Sequence, residues 1–454
     1  MKVFGSSGVR GVVGESITPG FVGRVARAAG SVWHAEAVAV ARDTRSTGRM
    51  LADAAAAGLA SVGSDPHRLG VVPTPAAQAY AERVGIPAVV ITASHNPPAY
   101  NGVKLIGADG AELSREALER VEDRLLADRY ETADWAATGD ARRVDSAARE
   151  YVEQLLGSVD REVVADAHLT VALDPGHGAG ALTSPELFRT LGCDVVTVNA
   201  RPDGHFPGRD PEPVPENLGD LGRLVRTADA DVGVAHDGDA DRAIFVDEDG
   251  EYVEGDATLA ALAAAELEAG DVTVSAVNVS QRLVDVAEVC DATLELTAIG
   301  STNIVTRIRD LQGAGERVPV AGEGNGGVLF PDYRLARDGA YTAARFLELV
   351  AETPVSELVA PYDGYANVRA NVAYETDAER EAMLEAADQY AAAAQADPTT
   401  IDGYRLDYGD AWVLARPSGT EPVVRVYAEA READRAEELC ERLRAAIEDA
   451  REDA

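Results

Sequence analysis

Positive charge is scarce in this 454-residue chain. Lysine occurs only at Lys2 and Lys104, and 41 basic residues face 78 acidic ones, for a formal charge of -37. Such a surface repels nucleic acid and anionic membranes, which argues against both as partners. It also repels itself, and abundant salt would screen that repulsion, so a salt-rich cytosol is the expected setting. Cysteine is thin too: Cys193, Cys290 and Cys440 are odd in number and far apart. They exclude a disulfide framework or a zinc site and read as buried thiols. Long apolar runs are missing, none approaching the roughly 20 residues that cross a bilayer. The amino end joins no basic stretch to an apolar one as a secretion signal does. A soluble, cytoplasmic protein is expected.

What is present is a chain too long for one hydrophobic core, so three or four domains are expected. Strand, loop and helix recur. Ala37–Ala41 runs through Arg42-Asp43-Thr44-Arg45-Ser46 into a helix over 49–61. Leu169–Leu173 leads through Asp174-Pro175-Gly176-His177-Gly178 to a helix ending near Gly192, and Asp271–Ser275 precedes a helix over 281–289. Beyond Asp363 the pattern changes to a run of strands closed by a charged helix over 433–450. The expectation is an α/β protein with three related α/β domains, 1–148, 149–253 and 254–363, and a C-terminal α+β domain, 364–454, around a central cleft.

Four stretches carry chemistry. The apolar run Pro87–Ile91 ends in Thr92-Ala93-Ser94-His95-Asn96-Pro97, which puts Ser94 at the carboxyl end of a strand, where open α/β sheets bind ligands. Alone, a loop serine is usually a turn residue or helix cap. Lys104 follows shortly after. His236-Asp237-Gly238-Asp239-Ala240-Asp241-Arg242 lies between two strand-like runs, and three carboxylates at alternate positions of a tight loop can converge on one hard cation. An EF-hand is rejected because its sixth place holds Arg242 instead of glycine. Gly322-Glu323-Gly324-Asn325-Gly326-Gly327 offers Glu323 and Asn325 to sugar hydroxyls, or is a plain turn. Arg416-Pro417-Ser418-Gly419-Thr420-Glu421-Pro422, between two strands, supplies a guanidinium, hydroxyls and free N–H groups suited to phosphate.

With the opening Phe4-Gly5-Ser6-Ser7-Gly8-Val9-Arg10-Gly11, these loops occur in the order found in the α-D-phosphohexomutases, and the whole chain resembles that superfamily, in a salt-adapted archaeal form. The resemblance implies that Ser94 carries a phosphoryl group and exchanges it with a hexose phosphate through a hexose 1,6-bisphosphate. It implies Mg²⁺ held by Asp237, Asp239, Asp241 and a phosphate oxygen on Ser94. Arg10, Lys104 and His95 complete the catalytic set, with His95 read as shaping the loop more than moving protons. Arg242, Thr297, Gly300, Glu323 and Asn325 face the sugar. Arg416, Ser418, Gly419, Thr420 and Arg425 grip the phosphate that is not transferred. Some members end the sugar loop in histidine where this sequence has Gly327, which leaves the general base open. A monomer or homodimer is expected. Two rivals remain: a phosphatase with Asp239 as nucleophile and Asp241 as acid, and a sugar-phosphate sensor without turnover.

Overall fold

The computed structural model describes residues 3–5, 7–418, 421–452 and 454, with the Asp397 side chain left aside. Among these residues no helix is long and apolar enough to cross a membrane. Four sheets follow one another along the chain.

The first contains β1 (Val9–Val12), β2 (Ala37–Arg42), β3 (Asp65–Val71), β4 (Ala88–Ile91), β5 (Tyr100–Ile106) and β6 (Arg142–Arg143), in the order β1-β5-β4-β2-β3-β6. β2, β3 and β4 run parallel, whereas β5 returns antiparallel against β4 and β1. β4 is buried along its whole length, as a strand covered on both faces must be. Helices α1 (Pro19–Trp33) and α2 (Gly48–Ala60) cover one face and α3 (Thr74–Val84) the other. The Thr18 hydroxyl caps α1 by accepting from Phe21 N, and Pro19 opens it at a position where no N–H is required.

The second sheet has the order β11-β10-β9-β7-β8, from β7 (Thr170–Asp174), β8 (Asp194–Thr197), β9 (Val232–Ala235), β10 (Ile244–Val246) and β11 (Tyr252–Val253). Its first connection is a 3₁₀ turn, Ala179–Leu182, followed by a short helix, Ser184–Thr190. The expected single helix breaks because Pro185 must sit in the first turn of a new one. The third sheet, β13-β12-β14-β15-β16, uses β12 (Val272–Ala276), β13 (Thr293–Thr297), β14 (Ala321–Glu323), β15 (Gly327–Phe330) and β16 (Arg334–Arg337). The apolar run Val318–Ala321 that leads into the glycine-rich stretch reads as a strand, but the paired strand is displaced from it. Pro319 has no N–H to give a ladder, so pairing starts at Ala321 and continues to Glu323. The glycine-rich stretch is therefore a tight hairpin, with Glu323 opposite Gly327.

The last sheet is wholly antiparallel, β17-β21-β20-β19-β18, from β17 (Ala366–Ala373), β18 (Asp397–Thr399), β19 (Tyr404–Asp407), β20 (Ala411–Pro417) and β21 (Val423–Ala430). Two helices, Asp377–Ala393 and Ala433–Glu452, pack on it. The fold is thus three α/β domains and a C-terminal α+β domain.

The cores divide unevenly. One continuous cluster runs from Ala77 and Tyr80 in the first domain through Tyr151, Phe188 and Phe245 to Phe346 in the third. The fourth domain has a core of its own around Met383, Val413, Val426 and Leu443. It meets the third through a small patch of Val277, Trp412 and Leu414. Polar anchors flank that patch. Buried Glu429 accepts from Ser280 Oγ (3.0 Å) and Gln281 N (2.6 Å), and Arg405 donates to the carbonyls of Val277 (2.6 Å) and Val279 (3.1 Å).

Candidate active site

Ser94 stands just beyond β4. Its backbone is left-handed (φ 52°), its N–H is held by Thr92 Oγ1 at 2.9 Å, and the residue is fully buried. A non-glycine residue in that region persists only where its surroundings fix it. Here the fixture is Arg45, also fully buried, which donates to the carbonyls of Ser94 (3.0 Å), Asn96 (2.6 Å), Pro97 (2.7 Å) and Tyr100 (3.0 Å). Asp43 neutralises Arg45 at 3.0 Å and accepts from the Thr92 hydroxyl at 2.7 Å. One guanidinium thus satisfies four carbonyls in and just beyond the turn.

The second domain brings its acidic loop against this turn. The loop spans the gap between β9 and β10 and is closed by His236, whose Nδ1 lies 2.8 Å from the Arg242 carbonyl. A carbonyl only accepts, so Nδ1 carries the proton, and the Ser184 hydroxyl donates to Nε2 at 3.0 Å. Burial pushes the ring down to about 4, so it is neutral near pH 7. Gly238 lets the loops meet, since a Cβ there would lie 2.6 Å from the Ser94 carbonyl oxygen.

Ser94 Oγ donates to Asp237 Oδ2 at 2.6 Å. Asp239 Oδ2 accepts from Thr74 Oγ1 (2.7 Å) and Lys104 Nζ (3.1 Å), and Asp241 Oδ2 from Lys104 Nζ (2.6 Å) and Arg337 (2.7 Å). The Oδ1 atoms of all three aspartates are buried without a hydrogen-bond partner. One oxygen of each carboxylate lies within 4.8 Å of the other two. A buried carboxylate oxygen left without a donor is costly, and three together fit a hard divalent cation that takes oxygen ligands.

The charges oppose one another strongly. Burial and the neighbouring carboxylates push Asp237 up to about 8. Burial pulls in the same direction on Asp241, but Arg337, Lys104 and Arg242 outweigh it and hold that group well below the carboxylate range. For Asp239, burial and Asp241 are outweighed by Lys104 and Thr74. Burial pulls Lys104 down, but Asp239 and Asp241 outweigh it and hold the group above the usual lysine range, as an ammonium. His95 Nδ1 is 3.3 Å from Ser94 Oγ, and burial with Arg242 and Arg10 holds the ring far below the usual histidine range. It is neutral and a weak base.

Two expected residues sit differently from their sequence context. Arg10 lies on β1, not on a loop, and reaches Asn96 Oδ1 at 3.2 Å. Lys104 is a strand residue of β5, with its ammonium fully desolvated. β1 and β5 pair with Arg10 opposite Gly102. A Cβ at Gly102 would strike the Val9 carbonyl oxygen and come within 2.8 Å of that of Thr92. Gly102→Ala is expected to lower stability by about 1–3 kcal/mol and to reduce turnover by displacing the Arg10 strand, as read by denaturant melts and assays.

Glu323 and Asn325 line a cavity of 370 Å³ together with Arg242, Asn278, Asp256 and Arg369. Asn325 Oδ1 accepts from Gly327 N at 3.0 Å, so the amide oxygen shapes the hairpin. Thr297 closes β13, and Gly300 (φ 117°) precedes the helix Ser301–Ala314. That segment touches the first domain, Ser301 Oγ donating to Glu112 at 2.7 Å and meeting Ser7 Oγ at 2.9 Å. In the fourth domain Arg416 pairs with Asp402 at 3.1 Å and Arg425 with Glu421 at 2.7 Å. Ser418 N donates to Val423 O at 2.9 Å. Gly419 and Thr420 lie outside the described residues. Asp402 also accepts from Ile299 N at 3.1 Å, which ties the Arg416 loop to the Thr297–Ser301 segment. Neither Arg416 nor Arg425 bonds to the Ser94 cluster.

Sequence reasoning missed Arg337, Thr74, Asp43 and Arg45. The signal for the last two was present, because Arg42-Asp43-Thr44-Arg45-Ser46 follows a strand that pairs with β4, and adjacent carboxyl ends share one rim.

A relative from Thermococcus kodakarensis, a phosphoglucomutase/phosphomannomutase, is 39% identical over 450 residues, covering 97% of each chain. Models of phosphoglucomutase/phosphomannomutase domains I, II, III and IV match residues 1–132, 149–250, 254–365 and 370–446. The chain belongs to the phosphoglucomutase/phosphomannomutase family. A probable phosphoglucosamine mutase from Methanopyrus kandleri is likewise 39% identical, over 99% of this chain and 100% of that one. Among solved structures, a phosphoglucomutase/phosphomannomutase family protein from Burkholderia thailandensis aligns with a TM-score of 0.85 at 29% identity, covering 99% of this chain and 97% of that one. These relatives make the chain a phosphohexomutase, an isomerase of sugar phosphates.

Proposed function

We propose that the protein interconverts hexose 1-phosphate and hexose 6-phosphate through a phosphoryl group on Ser94 and a bisphosphorylated sugar. The observation that carries this reading is the approach of Ser94 Oγ to Asp237, at 2.6 Å, beside three buried and unpartnered carboxylate oxygens. In the first half-reaction the bond from phosphorus to Ser94 Oγ breaks while one to a sugar hydroxyl oxygen forms. The hydroxyl proton leaves the sugar, and Ser94 Oγ regains one. The sugar then turns over and returns its other phosphoryl group by the reverse step.

Asp237, Asp239 and Asp241 would hold Mg²⁺, which when bound supplies charge neutralisation at the phosphoryl oxygens. Lys104, Arg337, Arg242 and Arg10 surround the same point, and fixed cations in a dry site stabilise developing charge more than water does. Lys104 acts through its charge, since the carboxylates that keep it protonated disqualify it as a base. His95 shapes the serine turn. Glu323, Asn325, Thr297 and Gly300 orient the sugar, and Arg416, Ser418, Gly419, Thr420 and Arg425 take the phosphate at its far end. This division of labour separates the chain at 149, 254 and 364.

Relatives named for glucose, mannose and glucosamine phosphates leave the sugar to be determined. Glucose, mannose and glucosamine 1-phosphates are assayed side by side with Mg²⁺ and a trace of the matching bisphosphate. The expected result is 6-phosphate product without release of inorganic phosphate, abolished by EDTA and restored by Mg²⁺. Full activity in chelator would remove the aspartates from the metal role, and stoichiometric phosphate release would make the protein a phosphatase.

A further inference from the structure

A larger cavity, of 950 Å³, opens in the first domain at the carboxyl ends of β2 and β3, and no residue of the Ser94 cluster lines it. Its charged groups are Arg42, Arg49, Arg68 and Arg143, with Asp53 and Asp145. Arg68 is paired with Asp53 and Arg143 with Asp145. Among the described residues Arg42 and Arg49 have no ion-pair partner, and the one hydrogen bond of Arg42 goes to the Asp43 carbonyl at 3.1 Å.

The two unpaired guanidiniums repel one another. Burial weakens the hold of Arg42 on its proton; the charge of Asp43 offsets part of this, and that of Arg49 adds to it. Two guanidiniums lining one cavity without ion-pair partners among the described residues form a site for an anion, and forked guanidiniums match phosphate oxygens. The floor is apolar, with Val40, Leu69 and Ala147, so the wall suits a carbon-bearing ligand better than a bare ion. The volume falls in the range of small-molecule sites, roughly 300–1,000 Å³. The position also fits, because open parallel sheets bind ligands beyond the carboxyl ends of their strands.

We propose that this cavity is a second, non-catalytic binding site for a small phosphorylated metabolite, up to nucleotide size, held by Arg42 and Arg49. The site adjoins the catalytic turn. Arg42 is followed directly by Asp43 and Arg45, the pair that holds the carbonyls around Ser94. A ligand on Arg42 therefore bears on the segment that sets the geometry of the serine.

The test is calorimetric titration of the full-length protein with ADP and with inorganic pyrophosphate, repeated on Arg42→Gln/Arg49→Gln and on Arg49→Glu alone. Because Arg49 is exposed, the single variant keeps the fold. The expected result is saturable binding of ADP at one site, weakened tenfold or more in both variants and not displaced by hexose phosphate. Absence of saturable binding by both probes, equal affinity in parent and variants, or displacement by hexose phosphate would each overturn the proposal.

Discussion

Ser94→Ala is expected to lower mutase turnover by roughly 10⁴-fold or more, the scale on which enzymes lose activity when a covalent nucleophile is removed. The substitution deletes only an oxygen. The residue already sits at φ 52°, so alanine inherits a conformation the surrounding turn imposes. The structural loss is the 2.6 Å hydrogen bond to Asp237, worth on the order of 1 kcal/mol. A protein that remains folded while losing turnover separates chemistry from stability. Intact-mass measurement supplies a second reading: the parent gains one phosphoryl group on incubation with hexose bisphosphate, and the variant gains none. Turnover near the parent rate in the alanine variant would remove Ser94 from the reaction.

Arg45→Met has the second largest expected effect, through a residue that need not touch substrate. It leaves Asp43 fully buried without its cation and the carbonyls of Ser94, Asn96, Pro97 and Tyr100 without their donor. Breaking a buried pair from one side costs about 3–5 kcal/mol, and releasing the turn misplaces Ser94, for which an ångström costs on the order of 10²-fold in rate. Denaturant melts and kcat should both fall. Adding Asp43→Asn removes the orphaned charge and should recover part of the stability but little of the rate, because the carbonyls stay unheld. Unchanged kcat in the single variant would show that the serine turn holds its shape without Arg45.

The regular strands and the loops at their carboxyl ends were legible because they follow local rules. β-branched apolar runs mark covered strands, and Asp237, Asp239 and Asp241 at alternate positions mark a convergent loop. β5 was not legible. Its run contains Asn101, Gly102 and Lys104, which resemble surface residues until the aspartates of another domain arrive to satisfy the ammonium. Arg337 was hidden for the same reason, since its role depends on Asp241, 96 positions away. Pro319 moved the start of β14 and so turned an expected loop into a hairpin. Buried charge is decided by tertiary partners, and a linear pattern does not contain them.

The uneven division of the interior has a mechanical consequence. Prying any of the first three domains apart would tear one continuous apolar mass, whereas swinging the fourth aside disturbs the small patch of Val277, Trp412 and Leu414 and a set of polar tethers at Glu429, Arg405, Asp402, Tyr365 and Arg431. The least costly large motion is therefore rotation of that one quarter about its seam, carrying Arg416 with it as a hinged jaw, and under the proposed reaction it is the motion that would open the cleft to the sugar.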